Sequence, residues 1–481
     1  MTHDIPTNTK HPVLAADNVT LNGDGIAYHD GKVVFVPRLL PGETAEVAIV
    51  EDKKRFARGE PLRLIETSPS RQEAPCGLFG DCGGCVWQHL NYDAVLRTKE
   101  QAVADALERI GGVDPKLVRD KKRPIVGMEE PFHYRNHVQF KIGPTRDDGL
   151  IEPGFYAEKS HRVVTGEPCL LVPESIYPIW MSFQKQLQHA FDLAAADGHE
   201  VWHHFYDSLT GLTWRTGDNG NKHLIILEDN FDKNAELSNV LAKIDIPQVV
   251  KTSNSEIAAI DQEITGVLLN NVVVYGEDFV TEPIGDKTYR VSANAFFQVN
   301  NRQTERLFDA ARIRIRDAKD KLDPTGNGKI PRGLDLYCGS GTIGIYVADL
   351  FEEMKGIEIN PNAIRDAEIN AEINDVSNIG FECGRAEDYL HELNVDVLIV
   401  DPPRKGLDAA LADRINETAI PFVLYISCNP ATIARDLKTM SNYSLQSWQA
   451  FDLFPWCGHV ETVALLSKLD VDQHIKVKLD M

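Results

Sequence analysis

Beyond residue 330 short apolar runs alternate with longer amphipathic ones, and this regularity constrains the fold more than any other feature of the chain. GLDLYC, MKGIEI, GFECG, VDVLIVD and FVLYISC are five such runs, of the near-continuous apolar kind that strands covered on both faces require. Between them lie stretches with helical spacing, such as NPNAIRDAEINAEIND, where Asn360 is set to cap a helix and Pro361 to fill its first position. This pattern predicts an α/β, Rossmann-like, doubly wound sheet. The stretch from FDLFP to ETVALLSK is expected to finish it as an antiparallel pair. Ligands of such sheets bind beyond the carboxyl ends of the strands, so residues at those ends are the first candidates for a site.

The first strand runs into Asp335-Leu-Tyr-Cys-Gly-Ser-Gly-Thr342. Gly339 and Gly341 allow a tight turn and a close approach of backbone to a ligand. The second strand ends in Glu358, 23 residues after Asp335, and an acid at that offset can take the two hydroxyls of an adenosine ribose. The loop has neither a full G-x-G-x-x-G nor the Lys-Ser/Thr of a phosphate-binding loop. Dinucleotides and nucleoside triphosphates are therefore poor fits, which leaves S-adenosylmethionine as the expected adenosine cofactor. The fourth strand ends in Asp401-Pro-Pro-Arg404, where the prolines stiffen the turn and fix the direction of Asp401.

The fifth strand ends in Ser427-Cys428-Asn429-Pro430, ahead of a helix, ATIARDLKTM. Cys428 is expected on the ligand-facing rim, where a helix N-terminus favours thiolate over thiol. A thiolate beside a methyl donor is needed when the acceptor carbon is a poor nucleophile, as carbon 5 of a pyrimidine is. Addition of sulfur to carbon 6 makes an enolate with its charge at carbon 5, which can attack a methyl-sulfonium. A base must then remove the carbon-5 proton so that the thiol can leave. Two candidates stand in FPWCGHVETVALL: Glu461, an acid entering an apolar strand, and His459.

The amino-terminal half reads differently. Residues 1–10 have the polarity of a disordered tail, and the start lacks the apolar stretch of a signal peptide. No run reaches the roughly 18–20 apolar residues of a spanning helix, so the chain is expected in the cytoplasm, away from membranes. From about 12 to 68, short β-type runs separated by Gly and Pro turns predict a small all-β barrel. Its stretch Lys53, Lys54, Arg55, Phe56, Arg58 suits either a nucleic-acid contact or a solvated hairpin tip. A helix is expected from about 91 to 110, and a second basic stretch, RDKKRP, spans 119–124. The net charge of −22 argues against indiscriminate binding of polyanions, though not against a local basic patch. Of eight cysteines, three cluster in CGLFGDCGGC, from Cys76 through Cys82 to Cys85. Without a secretion signal that spacing points to metal or thiol chemistry rather than to disulfides.

SCNPATIARDL, FPWCGHVET, DLYCGSGT, GIEINP, DPPRKG and NAFFQVNN together resemble the motifs of the RNA uracil-5 methyltransferases, and the resemblance spans most of the chain. It implies Cys428 as nucleophile, Glu461 as general base, and Gln298, Tyr337, Thr342, Glu358 and Asp401 as residues that bind S-adenosylmethionine. Cys457-Gly458 departs from the family's usual small residue before the base, and DPTGNGK lengthens the stretch between Gln298 and Tyr337. The resemblance further implies a class I methyltransferase catalytic domain over 291–481. It implies a TRAM-like, OB-like RNA-binding barrel over 8–68 and a mixed α+β central domain over 69–290. Cys76, Cys82 and Cys85 with the distant Cys169 resemble the four ligands of a [4Fe–4S] cluster, although spacing alone fits zinc equally. Cys338, Cys383 and Cys457 carry no assigned role.

The expected substrate is a structured RNA loop, most directly in 23S ribosomal RNA because of the barrel and the cysteine cluster, with transfer RNA as the alternative. The target uracil must be flipped from its stack, and Phe296 and Phe297 are either stacking partners for it or core. The chain is expected to act as a monomer. Two rivals are a non-catalytic RNA-binding assembly factor and a DNA cytosine-5 methyltransferase. The intact cofactor loop and nucleophile disfavour the first, and Ser427 in place of a proline before Cys428 disfavours the second.

Overall fold

The protein is represented by a computed structural model, which describes residues 11–145, 150–194, 198–229, 243–258, 261–323, 328–392 and 394–469. The expected tail 1–10 and most of the inserted DPTGNGK stretch lie outside the described residues.

Six strands come first: β1 (Val13–Ala15), β2 (Asn18–Val19), β3 (Asp24–His29), β4 (Lys32–Pro37), β5 (Thr44–Asp52) and β6 (Phe56–Glu66). They form one sheet in the order β1-β5-β6-β4-β3-β2, antiparallel except for β4 beside β6. Alternate side chains, among them Ala27, Val34, Val36, Ala45 and Val47, turn inward to a small core, as period-two alternation requires.

Helices α1 (Tyr92–Arg109) and α2 (Pro115–Asp120) and strand β7 (Lys122–Val126) follow. A seven-stranded sheet is then built from β8 (His137–Thr145), β9 (Ile151–Tyr156), β10 (Val163–Val164), β11 (Leu209–Gly217), β12 (Lys222–Asp229), β13 (Glu263–Leu269) and β14 (Val272–Gly276). It is covered by α3 (Ile176–Ala194), α4 (Gly198–Ser208) and α5 (Ile246–Ile257) around an aromatic core that includes Trp180, Phe183, Phe191, Trp202 and Trp214. A hairpin, β15 (Phe279–Ile284) and β16 (Lys287–Ser292), leads into α6 (Asn301–Leu322).

The carboxy-terminal part alternates as its sequence pattern predicts: β17 (Ile330–Leu336), α7 (Thr342–Val347), β18 (Phe351–Glu358), α8 (Pro361–Ile373), β19 (Ile379–Cys383), β20 (Val397–Val400), α9 (Ala409–Glu417), β21 (Phe422–Ser427), α10 (Pro430–Thr439), β22 (Tyr443–Phe451) and β23 (Glu461–Lys468). The sheet order is β19-β18-β17-β20-β21-β23-β22-β7, with β23 antiparallel to both neighbours. Asn360 caps α8 through its side chain, with Pro361 at the first turn. All six residues of β21 are buried, each large apolar side chain contributing about 1.5–3 kcal/mol.

One segment differs from the sequence reading. RDKKRP supplies the end of α2 and the start of β7, and β7 pairs parallel with β22. Val103, Ala106 and Leu107 of α1 pack on the same face of the sheet as Leu398, Val423 and Ile433. Residues 92–126, within the expected central segment 69–290, thus complete the catalytic layer. Periodicity could not reveal this, because an edge strand with exposed Lys122 and Arg123 looks like a basic loop.

Candidate active site

Sheet register assembles the site before any side chain is considered. Leu336 on β17 lies beside Ile357 and Val400, so the residues that follow, Tyr337, Glu358 and Asp401, leave the sheet together. Ser427 pairs with Thr462, which sets Cys428 next to Glu461. Because β23 runs antiparallel, its first residue reaches the same rim as the ends of the parallel strands.

A cavity of about 440 Å³ opens there, within the usual range of a small-molecule site. Cys428, Glu461, Gln298, Tyr337, Thr342, Glu358 and Asp401 all line it. Gly339 has φ +56°, and a Cβ there would meet open space, so the turn leaves room beside the backbone. Gly341, at φ +76°, packs against Phe381 and Ala367 without space for a side chain. Glu358 accepts hydrogen bonds from the N–H groups of Gly339 at 3.2 Å and Asn360 at 2.9 Å. This fixes the carboxylate while each oxygen keeps a lone pair for a ligand.

Asp335 is the residue that sequence reasoning passed over. It accepts from the Gly344 N–H at 3.1 Å through one oxygen, while the other is buried without a partner. Burial first, then the nearby Asp401, push it up to about 8. Such an orphaned acceptor in a cofactor cavity is matched by a ligand that brings donors or positive charge. S-Adenosylmethionine, with an ammonium and a sulfonium as well as a ribose for Glu358, fits this donor set. The signal was present as the first letter of DLYCGSGT.

The nucleophile loop is held at both ends. Asn429 caps α10 by accepting from the Ala431 N–H at 3.0 Å, and its own N–H donates to the Ser427 hydroxyl at 3.1 Å. Buried Asp436 accepts from Tyr425 at 2.6 Å and from the Leu407 N–H at 2.9 Å, tying the turn after Asp401 to β21. The sequence reading expected the helix N-terminus to favour thiolate at Cys428, but the rest of the environment outweighs it. Burial first, then Glu461 and Asp401, push the Cys428 thiol up to about 11 despite Arg404. Burial and Asp401 likewise raise Glu461 to about 8, and burial alone takes Asp401 to about 7. The free site therefore stores protons on its acids, which suits acid–base work near neutral pH. His459, the other candidate base, has Nε2 3.3 Å from Arg404. A guanidinium only donates, so this nitrogen accepts from it, and burial and Arg404 both push His459 down.

Four further cysteines, Cys76, Cys82, Cys85 and Cys169, are half-buried and line a second cavity of about 710 Å³. Among the described residues no three His, Cys, Asp or Glu side chains converge as a preformed metal-ion site. Burial, with Cys82 and Cys76 adding to it, pushes Cys169 up to about 11. Gln88 donates to Cys85 Sγ at 3.3 Å, and the Cys169 N–H donates to Tyr177 at 2.8 Å. Phe296, Phe297, Gln298, Arg404 and Phe454 line both cavities. Phe296 is 75% exposed whereas Phe297 is 4% exposed and packed in the core, so of the two only Phe296 is free to meet a base. No described helix is long and apolar enough to cross a membrane.

Comparison with known proteins agrees with this geometry. The tRNA (uracil-5-)-methyltransferase family model matches residues 248–469, and the TRAM domain model matches 17–62. An uncharacterized RNA methyltransferase of Halalkalibacterium halodurans is 36% identical over 473 residues, covering 96% of this chain and 98% of its own. One of Staphylococcus aureus is 33% identical, covering 94% and 96%. The crystal structure of a Pyrococcus abyssi tRNA (uracil-54, C5)-methyltransferase in complex with S-adenosyl-L-homocysteine shares the fold. Its TM-score is 0.68 at 24% identity, covering 94% of this chain and 100% of that one. The chain belongs to the S-adenosylmethionine-dependent RNA methyltransferases of the uracil-5 family and carries a TRAM domain.

Proposed function

We propose that the protein methylates carbon 5 of a uridine in structured RNA, with Cys428 as nucleophile and Glu461 as the base that releases the product. The observation that carries this reading is the convergence of Cys428, Glu461, Asp401 and the cofactor-binding residues on one cavity. Gln298, Tyr337, Thr342, Glu358 and Asp401 hold S-adenosylmethionine, which supplies an electrophilic methyl group on sulfur. The Cys428 thiol gives its proton to the ionised Asp401 carboxylate, which leaves Glu461 for the later step, and its sulfur bonds to carbon 6 of the uracil. Charge released to carbon 5 takes the methyl group as its bond to the sulfonium sulfur breaks, and S-adenosylhomocysteine is the leaving group. Glu461, ionised, then removes the carbon-5 proton, the S–C6 bond breaks, and the 5,6 double bond returns. Phe296 stacks on the flipped base.

The first substrate we assign is 23S ribosomal RNA, on the likeness of the cysteine cluster to that branch of the family. The match to a tRNA (uracil-5-)-methyltransferase model favours transfer RNA as the second. Transcripts of both, incubated with labelled S-adenosylmethionine and digested to nucleosides, decide between them. 5-Methyluridine in the ribosomal transcript alone is the expected result; label in transfer RNA alone reverses the assignment, and label in neither sinks the activity.

We assign Cys76, Cys82, Cys85 and Cys169 to a [4Fe–4S] cluster. A single zinc ion draws its four sulfurs to about 2.3 Å from one point, whereas a four-iron cluster spreads them. What supports the larger centre is the likeness of the four-cysteine pattern to that branch of the family, with all four thiols lining one cavity. Anaerobically purified protein should be brown, with iron and sulfide near four each per chain. A colourless preparation with one zinc per chain would overturn this.

A further inference from the structure

The loop between Asp452 and Val460 leads directly into Glu461, and several separate parts of the chain hold it. Phe451 and Glu461 are the last paired residues of β22 and β23, so the loop closes a long connection on which the position of Glu461 depends. Asp452 and Lys99, at the middle of α1, are both fully buried, and Lys99 Nζ lies 2.6 Å from Asp452 Oδ1. The same ammonium donates to the Phe454 carbonyl at 3.0 Å, and Tyr92 donates to Asp452 Oδ2 at 2.9 Å. Tyr92 in turn accepts from the Met128 N–H at 3.0 Å. Asn300 donates to the Leu453 carbonyl at 3.0 Å.

Further along, Trp456 has φ +67°, a conformation a bulky residue keeps only where its surroundings dictate it. Its indole N–H donates to Pro131, and its carbonyl accepts from Val86 and Trp87 in the cysteine segment. A Cβ on Gly458 would lie 2.4 Å from the Leu21 carbonyl of the barrel. This accounts for the glycine at this position.

A buried ion pair is a poor source of stability, because desolvation offsets its attraction and an apolar pair of similar volume often serves as well. Such a pair is better placed to fix a conformation, and here what it fixes is the approach to Glu461. We propose that Lys99 and Tyr92, acting through Asp452, are positioning residues for removal of the carbon-5 proton. The proposal rests on Glu461 as the base. It makes methyl transfer insensitive to the network, since that step depends on the Gly339 turn, Glu358 and Cys428, and makes resolution of the covalent intermediate sensitive to it.

The test is single-turnover kinetics with labelled S-adenosylmethionine and whichever transcript accepts methyl, quenched in denaturant and resolved into protein-linked and free RNA. Tyr92→Phe and the double variant Lys99→Met/Asp452→Leu are compared with Glu461→Gln. The expected result is an unchanged methyl-transfer rate and cofactor affinity, with protein-linked methylated RNA persisting at least about tenfold longer in both network variants. If the double variant does not fold, Tyr92→Phe alone carries the comparison. Normal resolution in the folded network variants, while Glu461→Gln accumulates adduct, overturns the positioning role and leaves the base assignment intact. Equal losses in cofactor binding, transfer and resolution overturn it too, by reducing the network to a structural one. Absence of adduct in Glu461→Gln refutes the base assignment itself, and the positioning role with it.

Discussion

Glu461 sits at the start of a buried strand, 4% exposed, with its carboxyl raised to about 8 by burial first and Asp401 second. The sign follows directly. A carboxyl raised to that value keeps its proton below pH 8 and cannot accept another, while above pH 8 it is an ionised base. The ionised fraction is about 1% at pH 6, about 10% at pH 7, half at pH 8 and about 90% at pH 9. If Glu461 removes the carbon-5 proton, the rate at which methylated adduct resolves should rise about tenfold per unit from pH 6 to 7, then level off above pH 8. The total rise from pH 6 to pH 9 is about 90-fold. The assay forms the adduct in a single turnover at pH 7, jumps the pH, and follows loss of protein-linked label on denaturing gels. Measuring resolution alone matters, because Cys428, raised to about 11, gives the addition step its own upward dependence on pH. A resolution rate flat between pH 6 and 9 would refute the reasoning. So would a rise that persists unchanged in Glu461→Gln.

Three further substitutions each test a single side chain. Glu358→Gln removes the charge that would face the ribose, and a hydrogen bond to a charged group is worth about 1.5–3 kcal/mol, so S-adenosylmethionine should bind about 10- to 150-fold more weakly. Calorimetry checks this, and a change under twofold would contradict the assignment. Phe296→Ala should leave thermal stability unchanged but raise KM for RNA by about 5- to 150-fold, the worth of one stacked base. Phe297→Ala should instead destabilise the fold by about 3–5 kcal/mol, which urea denaturation measures.

The catalytic layer was legible because each of its strands announces its end. Glu358, Asp401 and Cys428 are the polar or reactive residues at which an apolar run stops, and parallel register then brings them to one rim. Glu461 was legible for the converse reason, an acid entering an apolar run. The environment was less legible. Cys428 lies by a helix N-terminus, which favours thiolate, but two carboxylates and burial push the other way, and only the fold shows how near they stand. The role of residues 92–126 was hidden as well, since β7 joins β22 across more than 300 residues of chain and its exposed basic residues show no strand pattern. Lys99 looked like an ordinary helix-surface cation, and nothing local marks it as the partner of Asp452.

The central claim is that sulfur of Cys428 bonds carbon 6 of a uridine whose carbon 5 then takes the methyl group. The most direct measurement is mass spectrometry of the species trapped by Glu461→Gln, digested with protease and nuclease. The account predicts a single cross-link, Cys428 to a nucleotide carrying one added methyl group, and its complete loss in Cys428→Ala together with all methyl transfer. A cross-link at another residue, or 5-methyluridine formed at the normal rate by Cys428→Ala, would contradict it.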